Sequence, residues 1–167
     1  MKIYNFTPQF LKVFFDKRIN ELCKFCKRYG KKSLCPPNLE NSTYYCELLT
    51  SFKQGELYTK KFIIEDLSKW KEQGKESSLI IHNAILERRN ELFSTEVFSI
   101  GFGAGSCKWC SEECTLPCKF PEKSLVPIEA TGLDLISAVE LITNKEIEIK
   151  FPVEKQGYFY RMGAIFY

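Results

Sequence analysis

At 167 residues, with 44% apolar and 27% charged side chains, the chain is long enough to bury a core and has the composition of a soluble globular protein. One cysteine-rich, metal-binding domain spanning 1–167 is the expectation. A formal charge of +3 is too small to read as a nucleic-acid footprint, and no apolar run reaches the roughly 18 residues of a membrane span. The opening MKIYNFTPQFLKVFFDK has one early lysine and an apolar run broken at Pro8 and Gln9. It lacks the long apolar region and cleavage site of a signal peptide, so a cytoplasmic location is expected, where thiols stay reduced and open to metal.

In chain order, Phe6, Phe10, Val13 and Phe14 fall at helical spacing and predict a short amphipathic helix over Phe6–Lys17. Gly30 and the pair Pro36-Pro37 make the next segment a loop. Asn41 or Ser42 is placed to cap a helix over Thr43–Phe52, with Gly55 ending it. The stretch from Leu57 to Leu67 is β-rich and predicts a strand. Lys69–Ser77 reads as a charged connector, and Ser78–Phe93 as a helix through Leu79, Ile80, Ala84, Leu86 and Leu92. Thr95–Phe102 predicts a second strand, running into a Gly-Ala-Gly turn. Thr131–Leu141 predicts a helix and Tyr158–Tyr167 a closing strand. A strand, a long helix and a strand in succession favour a crossover unit, with the last strand joining the same sheet. The expected class is α+β: a small mixed or antiparallel sheet with helices on it, and two cysteine-rich metal-binding loops at one end.

Those loops carry the chemistry. Cys107, Cys110, Cys114 and Cys118 have the spacing C-x2-C-x3-C-x3-C, with Pro121 just beyond. Ferredoxins wrap a cubane [4Fe–4S] cluster with C-x2-C-x2-C-x3-C-P. Short spacings let thiolates converge on the corners of a compact inorganic core. In the ferredoxin run the fourth cysteine serves another cluster, so Cys118 has two readings. Cys23, Cys26 and Cys35 form C-x2-C-x8-C-P, and Cys46 follows after ten intervening residues. If three thiolates bind, one iron lacks a protein ligand and is open to water, substrate or sulfide. If Cys46 completes the set, the cluster only carries electrons. Cys46 also suits a buried, inert thiol inside its predicted helix. The alternative metal is Zn²⁺, with Cys23-x2-Cys26 and Cys107-x2-Cys110 as knuckles. Against zinc, no histidine lies near either set, and one ion would strand Cys35, Cys114 and Cys118. Disulfides are disfavoured by the missing secretion signal and by a chain too large to need staples.

The segments resemble a known family. Cys23-x2-Cys26-x2-Tyr29-Gly30 leading to Cys35-Pro36-Pro37 is similar to its first signature. Gly103-Ala-Gly105-x-Cys107-x2-Cys110, then Cys118-x2-Pro121 and Pro127-x-Glu129-Ala130-x-Gly132-x-Asp134, is similar to its second. The family is one of cysteine-rich, predicted metal-binding proteins known as a domain of unknown function, seen largely in anaerobic archaea and bacteria. The resemblance spans nearly the whole chain and implies metal binding without naming a reaction. Cys46 matches no position of the pattern, which favours three ligands in the first set.

Other features have quieter readings. Gly101-x-Gly103-x-Gly105 follows a strand, but its third glycine is misplaced for a dinucleotide fingerprint and a cysteine loop follows it. A tight turn near a cluster is the better reading. Lys24, Lys27, Arg28, Lys31 and Lys32 either offset the charge of thiolates or dock an acidic redox protein or an anionic substrate. His82, the one histidine, reads as a packed or surface residue. Asp134 is placed to cap or stabilise the start of the helix predicted over Thr131–Leu141. Glu129 frames the same turn, with proton delivery near the metal as its other reading. Trp109 lies between two expected ligands, where it packs or shields a cluster from water. Three functions fit the sequence: an electron-transfer or cluster-carrying [4Fe–4S] module with one or two clusters, an enzyme with an open iron such as one for sulfur transfer, and a zinc-stabilised interaction domain.

Overall fold

A computed structural model of the chain describes residues 1–64, 66, 68, 70–110, 114–149 and 157–167, with the backbone alone at 70 and 71. Among the described residues, five strands form one sheet: β1 (Lys2–Phe6), β2 (Gly55–Ile63), β3 (Ile100–Gly103), β4 (Val126–Pro127) and β5 (Tyr158–Phe166), in the order β1-β2-β5-β3-β4. The last strand of the chain is therefore its centre. β5 pairs antiparallel with β2 from Gly55↔Phe166 to Ile63↔Tyr158, and with β3 at Ile100↔Phe166. β1 adds antiparallel to β2, while β4 adds parallel to β3 at Phe102↔Val126. β2 and β3 consequently run the same way with β5 between them, the crossover expected from strand, helix, strand.

The helices are α1 (Lys17–Leu22), α2 (Ser42–Thr50), α3 (Trp70–Ser94) and α4 (Leu135–Ile142), with a 3-10 run at Pro8–Phe14. Successive residues of a strand point to opposite faces, and here both faces are covered. On one, Tyr58 and Ile165 pack against Ile81 and Ile85 of α3. On the other, Ala164, Phe166 and Phe102 meet Leu11, Tyr45, Leu49 and Leu133, and Leu57 meets Val139 of α4. The run Gly163-Ala-Ile-Phe166 is buried throughout for that reason.

α3 lies close on the sheet because glycines floor it. A Cβ at Gly101 would stand 2.6 Å from Ile85 Cγ2, and one at Gly103 2.6 Å from His82 Nδ1. Two of the three glycines in the G-x-G-x-G run thus serve helix packing. Only Gly105, with φ +70°, makes the turn that the sequence suggested.

Asn41 caps α2, accepting from Tyr44 N at 3.0 Å, and Asp134 caps α4, accepting from Ser137 N at 3.2 Å. Other expectations are corrected. The predicted Phe6–Lys17 helix is β1's last residue followed by 3-10 turns, with Pro8 at their start. Gly55 opens β2 instead of closing α2. β2 ends at Ile63, and residues 65 and 67 of its predicted extension lie outside the described residues. The predicted connector Lys69–Ser77 is helix from Trp70 onward, residue 69 being outside the described set. The predicted strand Thr95–Phe102 is shorter. Hydrogen bonds Val97 N→Leu92 O and Glu96 N→Phe93 O close α3 in a Schellman cap, so pairing begins at Ile100. α4 starts at Leu135, since Gly132 at φ +87° breaks the helix predicted from Thr131. Among the described residues, no helix is long and apolar enough to cross a membrane.

Candidate metal centre

The second cysteine loop leaves the end of β3 through Gly105 and the buried Ser106. Residues 111–113 lie outside the described set. Cys110, Cys114 and Cys118 each come within electrostatic range of Cys107, and Cys110 also acts on Cys114. Burial, then the neighbouring thiols, push the Cys107 thiol above its ordinary range. Burial acts the same way on Cys114, but Ser33 outweighs it: the Ser33 N–H reaches the Cys114 sulfur at 3.2 Å and its hydroxyl at 3.3 Å, leaving that thiol net lowered. Ser33 belongs to the first cysteine loop, so the two loops touch there. Trp109 packs edge-on against His82, with centroids 6.0 Å apart, and carries Lys123 over its ring. Its indole Nε1, a donor only, is buried without an acceptor.

The first loop is a succession of tight turns. Cys26 N bonds to Cys23 O, Tyr29 N to Cys26 O and Cys35 N to Lys32 O, while Gly30 N reaches Pro36 O at 2.9 Å. Gly30 stands at φ +69°, which lets the loop double back. These turns set Cys23, Cys26 and Cys35 around a cavity of about 220 Å³, which Arg28, Glu129 and Arg161 also line. Burial, then Cys26 and Cys23, push the Cys35 thiol up to about 11, with Arg28 opposing. Burial, then Cys26 and Glu129, also raise Cys23. Such thiols resist ionisation by themselves, and a bound cationic centre removes that resistance by supplying the missing positive charge.

Glu129 is exposed and lines this cavity, with protein packed around it. Desolvation raises its carboxyl above the ordinary range, against the pull of Arg161 and Lys108. Arg161 comes from the middle of β5 and is held by α3: Nε donates to Ser77 Oγ at 3.1 Å and Nη2 to Gly74 O at 3.2 Å. Sequence reasoning passed over Arg161, although one cation inside the apolar run YFYRMGAIFY was a visible signal. Lys108, beside Cys107, is pushed down to about 8 by burial, then by Arg28, Arg161 and Lys32. Within the basic stretch, Arg28 faces the thiol cavity and Lys32 acts on Cys114. Lys24 pairs with Glu21.

Cys46 sits in α2 with Lys12 and Glu47 as its charged neighbours and does not line the cavity of Cys23, Cys26 and Cys35. His82 is packed, 3% exposed, on the inner face of α3.

Among the described residues, no three thiol, imidazole or carboxylate groups close around one point as a ready seat for a single ion. The first set is spread around a space several times the roughly 30 Å³ a water molecule fills in the liquid. Thiol donors on the wall of such a space fit an inorganic cluster, and the unpartnered indole N–H fits a sulfide acceptor nearby. No curated protein and no solved structure matches the chain. The family model for DUF2284, described as predicted metal-binding protein, matches residues 9–167, and the chain belongs to that family.

Proposed function

We propose that the chain is a [4Fe–4S] protein working in a reducing cytoplasm, with one cluster held by Cys107, Cys110, Cys114 and Cys118 and another by Cys23, Cys26 and Cys35. The observation that carries this reading is the cavity of about 220 Å³ walled by three thiols, with a second group of four thiols beside it. A bound cluster supplies one-electron chemistry. The chain's own residues set its environment. Ser33 donates to Cys114, Arg28 offsets charge at Cys35, and Trp109, packed on His82, offers its unpartnered indole N–H. Lys27 and Lys31 are exposed beside the first loop and suit an acidic redox partner. This is an electron-transfer or cluster-carrying role.

The lining of the first cavity favours a second reading, an enzyme. A passive carrier has no need of a carboxyl beside its thiols, whereas Glu129 and Arg161 share that wall. With three thiolates, one iron has a position open to substrate, and Glu129 is placed to hold a proton there. Paired cysteine variants test both parts. Cys35→Ser and Cys110→Ser should each remove one cluster's iron and sulfide from anoxically purified protein, while Cys46→Ala removes none. Loss of a cluster in Cys46→Ala would defeat the three-ligand site. Added cyanide should change the reduced-state EPR spectrum if an iron is open, and an unchanged spectrum would leave the carrier role standing over the enzyme.

A further inference from the structure

A second, larger cavity of about 600 Å³ opens next to the first and shares Arg28, Gly105 and Arg161 with it. Among the described residues its charged lining is Arg28, Lys75, Lys108 and Arg161, with no carboxylate. None of the four forms an ion pair with a described carboxylate. Four like charges around one concavity repel one another, and focus positive potential into it. Offsetting thiolate charge explains Arg28 and Arg161, which border the sulfurs. Lys108 lies beside Cys107 and is open to the same explanation, but Lys75, on α3 and lining only the larger cavity, is not.

The cations come from separate parts of the chain: the first loop, α3, the second loop and β5. Arg161 is fixed by its bonds to Ser77 and Gly74, which leaves its other N–H donors to the cavity. The size falls in the range of small-molecule sites and exceeds what a bare oxyanion fills.

We infer that this cavity binds a small molecule bearing a tetrahedral polyanionic group, a phosphate or a sulfur oxyanion, held by Lys75, Lys108 and Arg161. Gly105 forms the shared wall. A Cβ there would meet Ser78 Oγ at 3.6 Å and Glu129 Oε1 at 3.8 Å, ordinary contact distances, and Ser78 lines the larger cavity while Glu129 lines the smaller one. A ligand anchored among the lysines therefore reaches toward the thiols. The anion site stands on the cations alone. Its service as a substrate site rests on the enzyme reading above.

Pyrophosphate, orthophosphate and sulfate are titrated calorimetrically into the anoxically purified full chain at low salt. At least one should bind at submillimolar concentration. Tighter binding of the phosphates assigns a phosphate ester, and tighter sulfate a sulfur oxyanion. Lys75→Met, at an exposed helix position, should weaken the tightest of them roughly tenfold, and Lys75→Arg should restore it. Lys31→Met, outside the cavity, should leave it unchanged. Absence of binding by all three anions, or equal losses in Lys75→Met and Lys31→Met, would overturn the inference. Iron is measured on the same samples. Iron-free protein that still binds through Lys75 would sink the cluster and keep this site, and iron-loaded protein indifferent to all three anions would do the reverse.

Discussion

His82 offers a pH dependence that can be worked out in advance. Its ring is 3% exposed, pressed against Trp109 and lodged over Gly103, with Nε2 buried and unpartnered. Burial lowers its pKa from 6.5 to about 4, opposed by a hydrogen bond to the Lys123 backbone and helped by Arg89. The folded protein therefore holds the neutral ring, while the unfolded chain takes up a proton as pH falls through 6.5. The stabilisation is complete above that pH and is lost progressively down to the folded value. At about 1.4 kcal/mol per pKa unit, the full loss is about 3 kcal/mol, of which about 2 kcal/mol has gone at pH 5. The assay compares urea unfolding of the wild type and His82→Gln at pH 7 and pH 5, without oxygen. Carboxylates and thiols titrate in both proteins, so their contributions cancel in the difference. The wild type should lose about 2 kcal/mol more than the variant across that interval. Parallel losses would refute the reasoning.

Glu56 is 6% exposed and accepts from Arg88 Nη2 at 2.8 Å, Tyr58 OH at 2.7 Å and Tyr167 OH at 2.8 Å. Arg88→Ala leaves that carboxylate without its cation and should cost about 3 kcal/mol in urea unfolding; a cost below 1 kcal/mol would show the tyrosines alone sufficing. Burial tends to raise the Glu56 carboxyl, but Arg88 and the two tyrosines leave it net lowered from 4.5, so this contribution is present at neutral pH and disappears only as acid reaches the folded value. Gly103→Ala drives a methyl to within 2.6 Å of the His82 ring and should destabilise by about 2 kcal/mol, read as a lower urea midpoint at unchanged slope. An unshifted midpoint would mean that α3 is free to slide off the sheet.

Local signals were legible where local chemistry decides. Asn41 and Asp134 cap helices because short polar side chains compete for the first free N–H groups, and the apolar β5 stands where the sequence places it. The start of α3 was hidden, since KEQGKE shows no apolar periodicity and includes Gly74. That turn is held by Arg161, which arrives from a strand eighty-odd residues later. β1 and the two-residue β4 were missed because the partners that define a strand lie far along the chain. The cysteines announced themselves by spacing. Glu129 stood out by its place after the second loop, but Arg161 did not, because only the insertion of β5 between β2 and β3 brings the arginine to the thiols.

The most direct test of the account is the content of iron and acid-labile sulfide in anoxically purified protein, read together with the visible spectrum. Iron and sulfide in equal amounts, with a broad brown absorption that dithionite bleaches, is the predicted result. Colourless protein carrying zinc and no sulfide would contradict it.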